Sequence, residues 1–563
     1  MTHDPRLQDL TENGIDVLIL GAGINGAGLF RDLAEQGLRV LLVEKGDFGG
    51  GTSAAPSRMI HGGLKYLETG EFRLVAQSTL ERNLLLRNAP HAVTPLPTVI
   101  PIFSWTKGVW AALRTLFGST TAARSRGALL LKVGLSIYDY YGSRANVMPR
   151  HKMKSRAKTL AEFPQMTPRI VASGLYYDAK IAGPERLVWE LCADGMAANP
   201  QALALNYTQI STHNGAAISF AREDGSAFTV QPKLVINAAG PWIDRVNAAL
   251  GAATKLIGGT KGSHILLDHP QLLAMLNGQM IYFEADDGRI LLVYDYLGRA
   301  LVGSTDIKAA DPDDVRCDDD EIAYFLTSLR ALLPGLPFEH SQIIYAYSGI
   351  RPLPASNAAT PGLISRDHSA PVLEATPSRP YPIISLVGGK WTTFRGFAEE
   401  VTDTCLARLD HPRRISTRDL GIGGGKGYPL DPTSKSKLIA SAAATGGLNL
   451  ARAEALFARY GTSLTSLVAQ KSSHTDATRL PHATDYSALE IDWLARTEAV
   501  EHLSDLVLRR TTLAVTGAMN SADLAAIAAI IGAAKAWSVE RIAAEIDQVT
   551  AQLAHTNRQS LTP

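Results

Sequence analysis

A glycine-rich loop between a short apolar strand and a helix is the feature of this chain that most restricts its fold. Residues 16–20 are Asp-Val-Leu-Ile-Leu, typical of a short buried strand, and 21–28 are Gly-Ala-Gly-Ile-Asn-Gly-Ala-Gly. A helical stretch follows over 29–36, and a second apolar strand over 39–43 ends at an acidic residue, Glu44. This order of strand, glycine loop, helix and strand predicts the first unit of a Rossmann-type α/β sheet.

The residue types in this loop suit a dinucleotide. Gly21 permits a tight turn, Gly23 lets the backbone approach a pyrophosphate, and Gly26 allows the helix to pack closely on the strand. Glu44 lies 18 residues after Gly26 and can accept hydrogen bonds from a ribose diol. Asn25, in the same loop, is assigned to the same site. The alternative is a coincidental glycine-rich turn, but the flanking strand, helix and acid are the context that favours dinucleotide binding.

Further glycine-rich stretches favour FAD over NAD. Residues 49–66 are rich in Gly, Ser and Thr and can wrap a long ligand with backbone amides and hydroxyls. Apolar strands that end in small residues or glycines recur at 233–242 and 386–395. Four glycine loops so far apart are more than NAD needs, and they predict a split domain around an extended, buried FAD. The candidates from these stretches are Thr52, Ser53, Ser57, His61, Gly62, Gly240, Gly389, Lys390 and Thr392.

Composition excludes several classes of protein. With 563 residues, 46% of them hydrophobic and 19% charged, the chain is an ordinary globular one of about three domains, or two large ones. Its three cysteines are too few and too scattered for a disulfide framework or an iron–sulfur cluster, which favours a reducing compartment. The sequence shows no secretory signal and no run of 18 apolar residues, so we expect a protein that is not integral to a membrane. We assign no metal site.

The charge is unevenly distributed. Residues 101–160 carry eleven Lys and Arg against one acid, so this segment is +10 and the rest of the chain is −9. Trp105 and Trp110 lie among these cations with other apolar residues at roughly helical spacing, a pattern that suits a helix lying in a bilayer interface. The alternative is a solvated basic face over an ordinary amphipathic core helix. A nucleic-acid partner is not expected, because no accompanying motif is present.

Eight short blocks resemble the FAD-dependent glycerol-3-phosphate dehydrogenase family, the flavoprotein type. They occupy 21–28, 57–68, 71–75, 260–265, 303–306, 347–353, 365–367 and 388–395. The resemblance runs from about 16 to 395 and continues more loosely to the C-terminus. The most specific blocks are Ile-His-Gly-Gly-Leu at 60–64 and Ser-Gly-Ile-Arg-Pro at 348–352, which contains Gly349.

The resemblance implies an α/β fold in which a Rossmann-type FAD-binding domain is combined with an antiparallel-sheet substrate domain, as in D-amino-acid-oxidase-like flavoproteins. An all-α C-terminal domain follows, and the chain becomes rich in Ala and Leu with helical periodicity after about 432. The predicted division is 1–425 for the two interleaved domains and 426–563 for the helical domain. The FAD parts are placed at about 14–90, 160–245 and 345–425, and the substrate parts at about 91–159 and 246–344.

The same resemblance implies a reaction: oxidation of sn-glycerol 3-phosphate to dihydroxyacetone phosphate by hydride transfer to flavin. Arg351 and Arg366 are then the leading ligands of the phosphate, and Lys390 lies near flavin and substrate; for each, the alternative is a structural ion pair. His264, at the head of an apolar strand, is the candidate base, because an imidazole with an ordinary pKa near 6.5 suits the task. Its alternative is a structural histidine, and His61 is a second candidate that we place against the flavin.

Other pocket residues are implied less directly. Tyr66, Thr305 and Asp306 are expected to be polar groups of the pocket. The family usually has Arg where this chain has Lys65, so a bidentate phosphate contact becomes a point-charge contact. It usually has Lys where this chain has Arg58.

The reduced flavin needs an electron acceptor. The basic segment at 101–160 falls where membrane-associated members of the family carry surface-binding structure. We therefore expect quinone as acceptor and a cytoplasmic protein attached peripherally to the inner face of the cell membrane. Oxygen is the rival acceptor, which would make the protein a glycerol-3-phosphate oxidase. Two competing hypotheses are a flavin oxidase of a small amine or hydroxy acid and a membrane-surface protein without turnover, and a homodimer remains open.

Overall fold

The computed structural model describes residues 4–67, 71–105, 128–142, 148–309, 311–355 and 367–562, without the side chains of 65 and 128–130. A six-stranded sheet, called here the nucleotide sheet, contains the predicted glycine loop. Its strand order is Val372–Leu373, Ile383–Ser385, Pro232–Asn237, Ile15–Leu20, Val40–Val43 and Ala202–Leu205. The pairs are parallel except the one made by Val372–Leu373.

Helices pack on the nucleotide sheet, and the burial that results explains why its strands are apolar. Ile24–Glu35 packs against Pro184–Ala198 and Phe394–Arg408. Strands covered on both faces read as continuous apolar runs, as Ile15–Leu20 and Val40–Val43 do. Because the strands are parallel, their carboxyl ends meet at one edge, where the chain turns into the glycine loops.

A second, mixed sheet of ten strands lies beside the nucleotide sheet. Its order is Ile307–Lys308, Thr260–Leu267, Arg299–Gly303, Ile290–Tyr296, Met280–Glu284, Val93–Ile102, Ala172–Ile181 and Met59–Ile60. Ile343–Arg351 pairs with Thr260–Leu267, and Lys152–Ser155 with Ala172–Ile181. All pairs are antiparallel except that of Met280–Glu284 with Val93–Ile102. A separate three-stranded antiparallel sheet is formed by Thr208–Asn214, Ala217–Arg222 and Ala227–Val230.

Side-chain alternation gives the mixed sheet two buried faces. In Thr260–Leu267, Ile265 and Leu267 pack in the cluster that contains Phe325, while Leu266 packs in the cluster of the C-terminal helices. The first face is covered by the helix Asp319–Leu332. Further helices of this part of the chain are Pro5–Glu12, Phe72–Asn88, Ala128–Gly142, Arg156–Glu162, Ile243–Ala249 and Pro270–Leu276.

The regular elements between 432 and 562 are all helical. They are Pro432–Gly446, Leu450–Tyr460, the 3-10 turn Gly461–Ser463, Leu464–Ala469, Ala488–Thr497, Leu503–Asp505, the π-helical turn Leu506–Arg510, Ser521–Lys535 and Val539–Asn557. Their shared apolar core is continuous with one face of the mixed sheet. Of the helices that the structure describes, none combines the length and apolar character that a bilayer crossing requires.

The predicted fold class is confirmed. Three strands that the sequence prediction groups with the FAD parts belong to the mixed sheet: Met59–Ile60, Ile343–Arg351 and Ala172–Ile181. The longest of them is Ala172–Ile181. The strand is buried along nearly its whole length, which is also typical of a parallel strand. The domain boundaries themselves stay a prediction.

Candidate active site

A cavity of about 1390 Å³ lies between the carboxyl edge of the nucleotide sheet and the mixed sheet. Typical small-molecule pockets hold about 300–1,000 Å³, so this one suits a longer ligand such as a dinucleotide. Twelve of the cofactor-binding candidates line it: Gly21, Gly23, Asn25, Glu44, Thr52, Ser53, Ser57, His61, Gly240, Gly389, Lys390 and Thr392.

The glycine loop forms a cradle that a side chain would fill. Gly21 has a φ of +105°, and a Cβ there would lie 2.7 Å from the Ala238 carbonyl oxygen. The helix Ile24–Glu35 begins at the cavity, and the Ile24 amide donates to Ser53 Oγ at 2.8 Å. Gly26 does not line the cavity, since its Cα packs against the Gly21 carbonyl, where a Cβ would lie 2.0 Å away.

Glu44 closes the other side of this loop. Its Oε2 accepts from the Ala22 amide at 2.7 Å and its Oε1 from the Gly46 amide at 3.0 Å. Burial raises the pKa of the carboxyl, and the two amides oppose that shift. The carboxylate therefore stands at the cavity wall with lone pairs left for a ribose diol.

The segment that follows wraps the cavity with few side chains. Thr52 Oγ1 donates to the Ile350 carbonyl at 2.5 Å, and the His61 amide donates to Thr392 Oγ1 at 3.2 Å. Gly62 and Gly349 do not line the cavity. A Cβ on Gly62 would lie 2.3 Å from the Tyr138 hydroxyl, and one on Gly349 would lie 2.6 Å from the Ala55 Cβ.

Two of the cations predicted for the substrate site line the same cavity. Arg351 donates from Nη1 to the Thr305 carbonyl and to Asp306 Oδ1, each at 3.1 Å, and from Nη2 to Ser304 Oγ at 3.0 Å. Lys390 Nζ donates to Ser78 Oγ at 3.2 Å and lies 3.7 Å from the centre of the Tyr66 ring. Arg351, Lys390 and the Tyr66 ring are all part of the cavity wall.

His264 faces the cavity from the mixed sheet and is buried. Its Nε2 lies 2.8 Å from Ser57 Oγ, and its ring stacks on Tyr347 with the centres 4.8 Å apart. Nδ1 is buried and has no hydrogen-bond partner in the described ranges. Burial, followed by the charges of Arg351 and Arg58, holds the pKa of His264 well below its usual 6.5. The imidazole is therefore neutral at neutral pH and able to accept a proton.

Sequence reasoning misses how Ser57 and Arg58 act on this histidine. The glycine-rich stretch assigns Ser57 to the cofactor, whereas its hydroxyl bonds His264 across 207 residues of chain. Arg58 is buried, pairs with Glu185 at 2.7 Å, and lies 5.5 Å from the Tyr347 ring centre, on which His264 stacks. The only sequence signal is the departure from the family residue at 58.

Thr305 lines the cavity, but its hydroxyl is bonded within the protein. The hydroxyl of Thr305 donates to Glu321 Oε1 at 2.6 Å and accepts from the Ser263 amide at 2.9 Å, so it is occupied within the protein. Arg366 and the side chain of Lys65 lie outside the described residues.

The fold and the cavity define the class of FAD-dependent oxidoreductases. Residues 16–403 match the family described as FAD dependent oxidoreductase, and 415–542 match the C-terminal domain of alpha-glycerophosphate oxidase. A glycerol-3-phosphate dehydrogenase from Synechocystis sp. is 31% identical, with 97% of each chain covered. The chain belongs to the FAD-dependent glycerol-3-phosphate dehydrogenase family, which confirms the predicted resemblance, and FAD is its cofactor.

A solved structure and a further relative are also similar to this chain. The structure of a glycerol-3-phosphate dehydrogenase from Bacillus halodurans complexed with FAD superimposes with a TM-score of 0.72 at 21% identity, covering 98% of this chain and 96% of that one, and shows the fold. A D-erythritol 1-phosphate dehydrogenase from Brucella abortus is 32% identical over 68% of this chain and 72% of its own.

Proposed function

We propose that this enzyme oxidises sn-glycerol 3-phosphate to dihydroxyacetone phosphate by hydride transfer to FAD. The observation that carries the proposal is that Arg351, Lys390 and a neutral His264 all line one cavity. A phosphate monoester dianion needs cations, and a secondary alcohol needs a base.

The cofactor would be held by the cradle already described. The helix N-terminus beside Gly23 and Ser53 suits the pyrophosphate, and Glu44 suits the adenosine ribose. When bound, FAD supplies the isoalloxazine ring that accepts the hydride from the substrate carbon. The remaining steps belong to side chains of this protein.

Arg351 and Lys390 bind the phosphate and orient the alcohol. Asp306 and the Thr305 carbonyl hold one edge of the Arg351 guanidinium, which fixes the plane of the group. Lys390 acts as a point charge whose position is set by Ser78 and the Tyr66 ring. Orientation by two fixed cations contributes to the rate because the reacting carbon is then held in place.

His264 accepts the proton of the substrate hydroxyl as the hydride leaves the same carbon. Its lowered pKa keeps the imidazole unprotonated before the reaction. Ser57 and the stacked Tyr347 ring fix its orientation. The developing imidazolium lies near Arg351 and Arg58, which favours rapid loss of the proton after the flavin is reduced.

An anaerobic reduction assay tests the proposal. Purified yellow protein is mixed with sn-glycerol 3-phosphate, D-erythritol 1-phosphate, or a set of small amino and hydroxy acids, and the flavin absorbance is followed. Bleaching by glycerol 3-phosphate at the lowest concentration is expected. Faster bleaching by the erythritol phosphate would favour the activity in the name of the Brucella relative. Bleaching only by an amino or hydroxy acid, or none at all, would contradict the proposal.

We further propose quinone as the electron acceptor and a membrane surface as the place of transfer. Support comes from exposed large apolar side chains in the chain segments on either side of 106–127, namely Phe103, Trp105, Val133 and Tyr140, and from Phe72 on the helix that packs against Ala128–Gly142. Residues 106–127, including Trp110, lie outside the described ranges. Aromatic and cationic residues together favour a bilayer interface with anionic lipid.

A flotation assay with anionic vesicles tests this attachment. Trp105→Ala should reduce the floated fraction, while Ile415→Ala, an exposed apolar side chain elsewhere, should leave it unchanged. Equal flotation of both variants would count against this surface. Reoxidation of the bleached flavin is then measured with a soluble quinone analogue and with oxygen; faster reoxidation by oxygen, with release of peroxide, would identify an oxidase instead.

A further inference from the structure

The helical C-terminal domain contributes a side chain to the cofactor cavity. Arg509 lies in the π-helical turn Leu506–Arg510 and is part of the cavity wall together with Asp47 and Tyr207. A π-helical turn inside an α-helical region is uncommon and often marks a functional position. Arg509 comes from the part of the chain that lies outside both sheets, and no sequence motif assigns it a role.

Two of the three nitrogens of Arg509 are held by buried carboxylates. Nε donates to Asp47 Oδ2, and Nη2 donates to Asp505 Oδ1 at 2.7 Å. Both carboxylates are fully buried, while the Arg509 side chain is 12% exposed. In the described part of the chain no hydrogen bond holds Nη1, so its two N–H groups are available to a ligand.

The neighbouring Arg510 offers a contrast. It donates to both oxygens of the same Asp47, at 2.8 and 2.7 Å, and to the Glu498 carbonyl at 2.8 Å. Its side chain is completely buried and is not part of the cavity wall. Both arginines bond Asp47 and so join the domains, but Arg509 is the one of the pair that lines the cavity.

The backbone places Arg509 at the Glu44 end of the cavity. The Tyr207 amide donates to the Gly46 carbonyl at 3.0 Å and the Thr208 amide to the Glu44 carbonyl at 2.9 Å. The Tyr207 hydroxyl in turn donates to Asp505. The loop that carries Glu44 and the turn that carries Arg509 are thus connected through Tyr207.

We propose that Arg509 is a cofactor-binding residue, through which the C-terminal domain clamps the adenosine half of FAD. The inference rests on the proposed contact of Glu44 with the adenosine ribose. Nη1 donates to an oxygen or ring nitrogen of the adenosine, and Asp47 and Asp505 hold the guanidinium in place for that contact. The helical domain then contributes directly to flavin retention.

Release of FAD from the full-length holoenzyme tests the proposal without any substrate. R509K keeps one positive charge between Asp47 and Asp505 but loses the second arm of the fork, and R510K is the matched control on the same carboxylate. Flavin fluorescence after dilution measures the release rate. We expect R509K to release FAD about tenfold faster than the unmodified protein, as the loss of one charge-assisted hydrogen bond implies, and R510K to release it at nearly the unmodified rate.

A second measurement separates a contact with adenosine from a general loosening of the fold. The full-length protein is stripped of flavin and titrated with ADP and with FMN. R509K should weaken ADP about tenfold and leave FMN unchanged. Equal weakening of ADP and FMN, equal FAD release from R509K and R510K, or unchanged release from R509K would each overturn the proposal. R509Q supplies the same readings if R509K does not fold.

Discussion

At the scale of single residues, the chemistry of the site depends on a histidine whose surroundings suppress its charge. His264 is buried near Arg351 and Arg58, the second of which lies 5.5 Å from the centre of the Tyr347 ring, so a further positive charge there is unfavourable. The sequence predicts the histidine as a base with an ordinary pKa. The structure lowers the pH at which this histidine should become protonated, and its role as the base stays a proposal.

Removing this base should slow flavin reduction. H264Q keeps a polar side chain of similar reach but cannot accept a proton, so the rate of anaerobic bleaching should fall by about 10²- to 10⁴-fold. The measurement is stopped-flow absorbance at saturating substrate. S57A, which removes only the bond to Nε2, is the matched variant and should fall less. A rate within about twofold of the unmodified protein for H264Q would rule out His264 as the base.

The same reaction should keep its rate on the acid side of neutrality. Only the neutral imidazole accepts a proton, and the pKa of His264 lies well below 6.5. The bleaching rate should therefore be flat from about pH 8 to 6.5 and decline only below that range. R58Q removes a positive charge near the ring and should move the decline toward higher pH. A decline centred near pH 6.5 in the unmodified protein would contradict this assignment.

Arg351 should act mainly on substrate binding. R351K retains a charge but not the fork that bonds Asp306 and Ser304, so KM for the phosphorylated substrate should rise about 10- to 100-fold. Steady-state kinetics measure the change. R408K, which alters a surface pair with Glu374, is the control and should leave KM unchanged. An unchanged KM in R351K would remove Arg351 from the phosphate site.

At this scale, sequence patterns predict residues whose role follows from a local motif better than residues whose role depends on partners far away in the chain. The turn at Gly21 and the carboxyl group of Glu44 follow from one local motif, and the structure places both at the cavity. Ser57 and Arg509 depend on partners more than 200 residues away, and no local spacing encodes such a contact.

At the scale of elements, periodicity locates the strands but not the sheet to which each belongs. A strand buried on both faces, such as Ala172–Ile181, has the same apolar pattern in a parallel and in a mixed sheet. Only the pairing partner distinguishes them, and the partner here is Val93–Ile102. The helical character after 432 is predictable because helical periodicity persists over several segments there.

Helix contacts of the C-terminal domain include a pH-sensitive link. His502 Nδ1 lies 2.8 Å from Glu545 and its Nε2 lies 2.8 Å from Glu223, with the Tyr207 ring 4.6 Å away and Asp505 nearby. The bonds to Glu545 and then Glu223 raise the pKa of His502 to about 9. The charged form thus stabilises the folded state more than the unfolded one.

This link should add stability at acid and neutral pH. Because the folded-state pKa is raised, the contribution is fully present below about pH 6.5 and is lost as the pH rises through about 9. After allowance for solvent screening, H502Q should lower the free energy of unfolding by about 1–2 kcal/mol at pH 6 and by almost nothing at pH 10. Denaturant titrations at the two pH values measure it. E223Q should show a smaller version of the effect, and equal losses at both pH values would contradict the link.

At the scale of the whole molecule, buried charges join the C-terminal domain to the nucleotide sheet. Asp47 follows the strand Val40–Val43 and is completely buried between Arg509 and Arg510. Burial alone would raise the pKa of Asp47, but Arg510 and Arg509 outweigh it and hold the pKa below its usual value. The interface therefore contains a charged carboxylate whose two guanidinium partners, rather than solvent, stabilise its charge.

Loss of this carboxylate should destabilise the protein far more than loss of an exposed ion pair that the C-terminal domain makes elsewhere. D47A leaves two buried guanidinium groups without their shared partner, and breaking a buried ion pair costs about 3–5 kcal/mol. Asp319 pairs with Arg558 at 2.7 Å but is 84% exposed, so D319A should cost no more than about 1 kcal/mol. Denaturant titrations at saturating FAD give both values. Equal costs would mean that the charges at Asp47 are solvated in solution and that the two domains do not meet there as tightly as the structure shows.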